Sequence, residues 1–164
     1  MNESTEMVVR VVLIGAGATV VMDAWLMLLK RLKVPTLNFA YIGRWIGNGP
    51  GFRWARDGIA KAPPVRGELL LGWTAHYAIG VLFAALLVGV CGMEWLRAPT
   101  LAPTVSVGIA TVLIPLLIMQ PAMGAGIASS RTPTPLLNVL KSLANHAVFG
   151  IGLYVAALLA AHLA

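Results

Sequence analysis

The sequence has few charged residues for its length and almost no cysteine. Charged residues make up 11% of the 164 residues, whereas soluble domains average roughly 25%. Apolar residues make up 59%, and a soluble domain of this size could not hide so much apolar surface, because small domains are rich in surface. The single cysteine, Cys91, excludes an internal disulfide and a cysteine-based zinc site. These shortages favour a membrane protein over a soluble or disulfide-stabilised fold.

Familiar catalytic motifs are also missing from the sequence. It contains no glycine-rich phosphate loop, no HExxH and no Gly-x-Ser-x-Gly. No residue is therefore assigned to catalysis, and the sequence leaves open whether any reaction is catalysed.

Four apolar segments are long enough to cross a membrane, since a spanning helix needs about 20 mostly apolar residues. They are residues 8–29, 69–92, 105–127 and 142–163, and the fourth could begin as early as Leu136. We expect an all-α polytopic membrane protein, a bundle of four transmembrane helices with an interfacial segment between helices one and two. Residues 1–164 are expected to form a single transmembrane domain.

Small residues and prolines within the spans indicate how these helices pack. Three pairs of small residues lie four positions apart, which lets helices approach closely in lipid: Gly15 with Thr19, Gly80 with Ala84, and Gly152 with Ala156. Pro115 and Pro121 lie inside the third span. Each proline removes a backbone hydrogen bond, so we expect the third helix to be kinked.

The basic residues are distributed unevenly among the connections. The loops at 30–68 and 128–141 hold ten of the twelve basic residues, and Arg10 and Arg97 lie toward the opposite side. The positive-inside rule places the two basic loops in the cytoplasm. We therefore expect a multi-pass protein of a bacterial inner (plasma) membrane with both termini periplasmic.

Aromatic and basic residues are mixed in the long loop at 30–68. Its segments NFAYIGRWIG and GFRWARDGIA are typical of chain that lies at the lipid headgroups. We expect four of these side chains at the cytoplasmic headgroup level: Arg44, Trp45, Arg53 and Trp54. The net charge of +6 is attributed to this topology, so the expected partner is the lipid bilayer and not nucleic acid.

Polar side chains interrupt all four spans at a similar distance from the basic side. They are Asp23, His76, Tyr77, Gln120, Asn145 and His146. At about 1.5 Å per residue, all would lie roughly 7–11 Å inside the same membrane boundary. Ionisable groups inside a membrane are costly and usually functional. We predict one polar chamber for substrate binding or proton relay, with Glu68, Lys141 and Ser142 at its entrance.

A structural role stays open for each of these side chains. Asp23 could simply be neutralised by His76, His146 or Lys141, and each histidine could serve as a hydrogen-bonding group between helices. Gln120 could satisfy the backbone groups that Pro121 leaves open. The chamber prediction therefore depends on the shared depth of the set and not on any one member.

Five segments resemble a known family. They are GATVVMDAW (17–25), GRWIGNGPG (43–51), GELLLGWTAHYAIG (67–80), IMQPAMGAGIASSRTP (118–133) and SLANHAVFGIGLY (142–154). Together they resemble an uncharacterised bacterial inner-membrane protein family, domain of unknown function family 2938. The resemblance covers most of the chain and implies a four-helix inner-membrane protein. It supplies no activity, substrate or catalytic residue.

Three functions fit these observations. The first is a small inner-membrane transporter or permease-like protein for a small molecule or ion, with its polar site near the cytoplasmic leaflet. It would need no cofactor, and a homo-oligomer is expected because four helices are few for transport. The second is a membrane redox protein in which His76 and His146 bind haem or a metal, with Asp23 as a third metal ligand. The third is a non-catalytic accessory subunit whose basic loop docks onto lipid or a partner.

Overall fold

The computed structural model describes residues 2–51 and 53–162. Over these two ranges the chain forms helices and turns and no β-strand. The α-helices are α1 (Glu3–Arg31), α2 (Phe39–Gly47), α3 (Glu68–Arg97), α4 (Leu101–Thr111), α5 (Gln120–Ala122) and α6 (Pro135–His162). Two 3-10 turns (Ile59–Lys61 and Ile127–Ser129) and a π-helical turn (Pro115–Met119) lie between them.

Four helical segments are long and apolar enough to cross a membrane. They are Glu3–Arg31, Glu68–Arg97, Leu101–Ala122 and Pro135–His162. On α3 the side chains of Leu82, Leu86 and Val90 are 64%, 51% and 71% exposed. They recur every four residues, so one face of this helix is apolar and uncovered, as a helix in lipid requires. The all-α, four-span architecture expected from the sequence is confirmed.

The ends of α1 follow the preferences of an isolated helix. Asn2 precedes the first turn, and its side-chain oxygen accepts a hydrogen bond from the Thr5 backbone N–H at 2.8 Å. Glu3 and Glu6 lie in the first turn, and two basic residues lie in the last turn. Both charge placements stabilise the helix dipole. The helix therefore extends beyond the apolar residues 8–29 at both ends.

The third span ends earlier than the sequence analysis expected. The helical segment stops at Ala122 and not at residue 127. Gly124 and Gly126 have φ angles of 95° and 77°, which a continuing α-helix cannot contain. A π-helical turn begins at Pro115, and the kink expected at the two prolines stays a prediction. Apolar character continues past Ala122, which is why composition alone placed the end too late.

The chain divides into two compact units. Unit 1 consists of Met1–Pro35, Tyr77–Thr111 and Asn145–Ala164, and unit 2 of Thr36–His76 and Val112–Ala144. The expectation of a single domain stays a prediction.

In unit 1, small residues bring helix backbones together, as their spacing predicted. A Cβ atom built on Gly15 of α1 would lie 2.5 Å from the Val81 Cα of α3, closer than real Cβ atoms come. One built on Gly80 would lie 2.1 Å from the Thr19 Oγ1. On α6, a Cβ at Gly152 would lie 2.9 Å from the Ala18 carbonyl oxygen of α1. Helices α1, α3 and α6 therefore pack with their backbones in close contact.

Candidate functional site

Asp23 of α1 is held by a tyrosine of α3. The Tyr77 hydroxyl donates a hydrogen bond to the Asp23 Oδ2 at 2.9 Å, and both residues are half-buried. Asp23 lies eight residues before the helix end at Arg31, which is about 12 Å along the axis. The sequence analysis named two histidines and Lys141 as partners for this carboxyl group. Tyr77, another member of the predicted set, also donates to this carboxyl group, and the pairing with His76, His146 or Lys141 stays a prediction.

A second polar contact joins α1 to α6 inside unit 1. The Trp25 indole Nε1 donates to the Asn145 side-chain oxygen at 2.9 Å. Asn145 was predicted as a site residue, whereas Trp25 was not. An aromatic residue in an apolar helix normally signals packing or lipid contact, so no feature of the sequence marked Trp25 as a polar partner.

His146 of α6 is anchored on α4 through one ring nitrogen. Its Nδ1 lies 3.1 Å from the Thr111 Oγ1 and 3.2 Å from the Gly108 carbonyl oxygen. The Thr111 hydroxyl itself donates to the same carbonyl at 2.7 Å. Since the carbonyl can only accept, and the hydroxyl proton is already used, we infer that Nδ1 carries the ring proton. In the neutral form of this tautomer, Nε2 is the acceptor.

The three contacts involve six residues, which together we call the polar layer. Its members are Asp23, Trp25, Tyr77, Thr111, Asn145 and His146, all in unit 1. Asp23 links α1 to α3, Trp25 links α1 to α6, and His146 links α6 to α4. The links continue along the chain, because Asn145 and His146 are neighbours on α6. The membrane depth expected from the sequence predicted four of the six members.

His76 and Gln120, the other two predicted members, belong to unit 2. The centre of the His76 ring lies 4.4 Å from the ring centre of Phe39 and 5.8 Å from that of Trp73. The Gln120 side-chain oxygen accepts a hydrogen bond from the Ser129 hydroxyl at 2.9 Å, and Ser129 is 2% exposed. A chamber shared by all predicted residues stays a prediction.

Glu68, predicted at the entrance, makes a two-pronged ion pair with Arg44. Arg44 Nε lies 2.8 Å from Glu68 Oε2, and its Nη2 lies 2.7 Å from Oε1. The Val65 backbone N–H also donates to the carboxylate at 3.0 Å. The hydrogen bond to Glu68 raises the pKa of the Arg44 guanidinium above its ordinary value. The ion pair therefore links Arg44 of α2 to the first residue of α3.

The remaining residues predicted at headgroup level make contacts within the same loop. The Trp45 indole nitrogen donates to the Gly51 carbonyl oxygen at 2.9 Å. The Arg53 guanidinium lies over the Trp54 ring, 5.1 Å from its centre. Lys141 and Ser142, predicted at the entrance with Glu68, are half-buried on α6 in unit 2. The headgroup depth of the first set and the entrance role of the second stay predictions.

The metal-binding alternative requires several ligands around one point. Within residues 2–51 and 53–162, no three or more His, Cys, Asp and Glu side chains form a group that could hold a metal ion. His146 already uses its Nδ1 in the contact with α4, and the His76 ring is stacked with aromatic residues of unit 2. The haem- or metal-binding role of His76 and His146 stays a prediction.

A family model matches residues 12–160 of the chain, and its description is protein of unknown function, DUF2938. The chain belongs to the DUF2938 family. Nothing matches it among curated proteins or among solved structures. The matched range of this DUF2938 chain contains the whole polar layer and the Arg44–Glu68 pair. The resemblance seen in the sequence is confirmed, and function has to be argued from the side chains.

Proposed function

We propose that this DUF2938 protein is a small membrane transporter or permease-like protein in which the polar layer carries protons. The observation that supports the proposal most is the Asp23–Tyr77 hydrogen bond, because it joins two membrane-spanning segments through an ionisable carboxyl group. An ionised carboxylate costs about 3 kcal/mol at the centre of a spanning helix on insertion scales, and a smaller but still unfavourable amount nearer the boundary, where Asp23 lies. If Asp23 gains and loses a proton during transport, this role explains why a spanning helix contains a costly carboxyl group.

The contacts around Asp23 suit proton exchange. The Tyr77 hydroxyl can donate to the ionised carboxylate or accept from the protonated acid, so the contact survives both states. His146, in the same layer, offers Nε2 as a second acceptor. Carboxylates and histidines in spanning helices are the usual members of proton relays.

The third spanning segment provides a place where the bundle could bend. Its π-helical turn begins at Pro115, and the Gln120 backbone N–H bonds to the Pro115 carbonyl oxygen, five residues back. Broken or irregular helices are typical of transporters, in which parts of the protein rock against each other. A small molecule or ion is the proposed substrate, and a homo-oligomer in a bacterial plasma membrane is the proposed working form.

Proton flux into liposomes tests the proposal. Protein would be reconstituted into vesicles that contain a pH-sensitive dye, and a potassium gradient with valinomycin would drive protons inward. We expect faster acidification than in protein-free vesicles and a several-fold slower rate for Tyr77→Phe, which removes only the hydroxyl group. Tyr154→Phe, the matched change on α6, should retain the wild-type rate. Wild-type vesicles no faster than protein-free vesicles would overturn the proposal.

The proposed orientation predicts which loops can be labelled from outside the cell. In a Cys91→Ala background, a membrane-impermeant maleimide should modify Ser4→Cys and leave Ala60→Cys unmodified until the membrane is opened. Both positions are exposed on the protein surface, so burial would not explain a difference. The physical reason is the excess of basic residues in the loop that contains Ala60. Labelling of Ala60→Cys alone would show the opposite orientation.

A further inference from the structure

Two loops of unit 2 are in close backbone contact at Gly58 and Gly124. The Ile59 backbone N–H donates to the Met123 carbonyl oxygen at 2.9 Å. A Cβ atom built on Gly124 would lie 2.5 Å from the Gly58 Cα. Gly58 and Gly124 also have φ angles of 82° and 95°, which other residues rarely adopt. The loop after α2 and the loop after α5 therefore form one continuous piece of surface.

Arg131 adds its charge to this surface. Its Nη1 donates to the Ala55 carbonyl oxygen, so a guanidinium from the second loop lies on the turn formed by residues 53–57 of the first. Arg53, on the same turn, donates to the Asn48 carbonyl oxygen at 2.9 Å and stacks over the Trp54 ring. We call the resulting patch the basic surface; it consists of Arg53, Trp54, Arg56, Lys61 and Arg131, and its four charged side chains are all exposed.

The charge of the chain is concentrated in the unit that carries the basic surface. Unit 2 contains seven basic and two acidic residues, a net charge of +5 out of the +6 of the whole sequence. Glu68 is engaged by Arg44, which leaves Asp57 as the remaining acidic residue of that unit. The charge of the basic surface is therefore largely uncompensated by the unit itself.

We propose that the basic surface binds the phosphate group of an anionic phospholipid. Arginine guanidinium groups match phosphate oxygens in pairs. Arg131 precedes the start of α6 at Pro135 by only four residues. The surface is therefore close in sequence to the end of a spanning segment, where lipid headgroups are expected. The polar layer is in unit 1, so this inference goes beyond the proposed transport function and does not depend on it.

Lipid binding to the detergent-solubilised full-length protein, measured by native mass spectrometry, tests the inference. The probes are phosphatidylglycerol and phosphatidylcholine. We expect wild type to prefer phosphatidylglycerol, and Arg53→Gln/Arg56→Gln/Arg131→Gln to weaken its binding at least about tenfold, because each basic residue near an anionic surface contributes about fivefold. The matched triple variant Lys30→Gln/Arg31→Gln/Lys33→Gln removes the same charge at the end of α1. It should weaken binding clearly less than the basic-surface triple variant, because these three residues lie outside the basic surface.

A second variant distinguishes a loss of lipid binding from a failure to fold. Arg56→Gln/Lys61→Gln leaves the Arg131–Ala55 and Arg53–Asn48 contacts in place, and it should still weaken phosphatidylglycerol binding about fivefold or more. Equal losses in the two triple variants would show that lipid follows net charge, and unchanged binding in both basic-surface variants would show that lipid binds elsewhere. Retention of inorganic phosphate by the wild type, with no preference for phosphatidylglycerol over phosphatidylcholine, would show a site for free phosphate. Any of these three results overturns the proposal.

Discussion

Gly72→Ala is expected to destabilise the protein severely, because the structure leaves no space for a methyl group at this position. A Cβ atom on Gly72 would lie 1.9 Å from the Phe39 carbonyl oxygen and 2.7 Å from the Phe39 carbonyl carbon. Both are backbone atoms of α2, so no side-chain rotation could relieve the clash. Helix α2 would have to move away from α3, which would separate the Phe39 ring from Trp73, now 4.5 Å apart between centres.

The size of this effect can be measured against a second glycine on the same helix. Overpacking in a close contact costs about 1–3 kcal/mol and more where backbone must move. A Cβ at Gly89 would meet nothing within 4 Å, so Gly89→Ala should be neutral or stabilise α3 by up to about 1 kcal/mol. Thermal unfolding followed by circular dichroism in detergent compares the two. Equal midpoints for both variants would contradict a rigid α2–α3 contact.

Asp23→Asn is expected to abolish the proposed proton flux while leaving the protein folded. The amide has nearly the shape of the carboxyl group, and its oxygen can still accept a hydrogen bond from Tyr77. It cannot exchange a proton at any ordinary pH. The dye-loaded vesicles used for the flux measurement should therefore acidify no faster with this variant than without protein. A thermal midpoint close to that of wild type would show that the loss is chemical and not a failure to fold.

The sequence contains one other aspartate, which supplies the control. Asp57→Asn makes the same chemical change on an exposed turn of the long loop. It should retain the wild-type flux, since Asp57 lies outside the polar layer. If Asp23→Asn retained full flux, the carboxyl group would have only a structural role. The proposal that the polar layer carries protons would then be wrong.

The four membrane helices could be predicted because each one depends on local composition. A run of about 20 apolar residues has few alternatives to a spanning helix. The end of the third span could not be placed, since apolar residues continue into the turn at Gly124 and Gly126. What stops the helix is backbone geometry, and composition does not report it.

The site was only partly predictable, because its contacts join distant parts of the chain. Depth along each helix selected Asp23 and Tyr77, but their hydrogen bond spans 54 positions in sequence. Arg44 and Glu68 are 24 positions apart, and the sequence analysis assigned Arg44 to the headgroup level and Glu68 to the entrance of the chamber. Rotation about each helix axis decides which polar side chains meet, and a single sequence constrains that rotation weakly.

The adjacent residues Asn145 and His146 give α6 a mechanical role in the polar layer. Consecutive side chains on a helix point about 100° apart, which allows Asn145 to hold Trp25 of α1 while His146 holds Thr111 of α4. Twisting α6 about its own axis would therefore strain both contacts at once. Under the proposed proton-carrying function, a change at the α1 contact would therefore reach the α4 contact through rotation of α6.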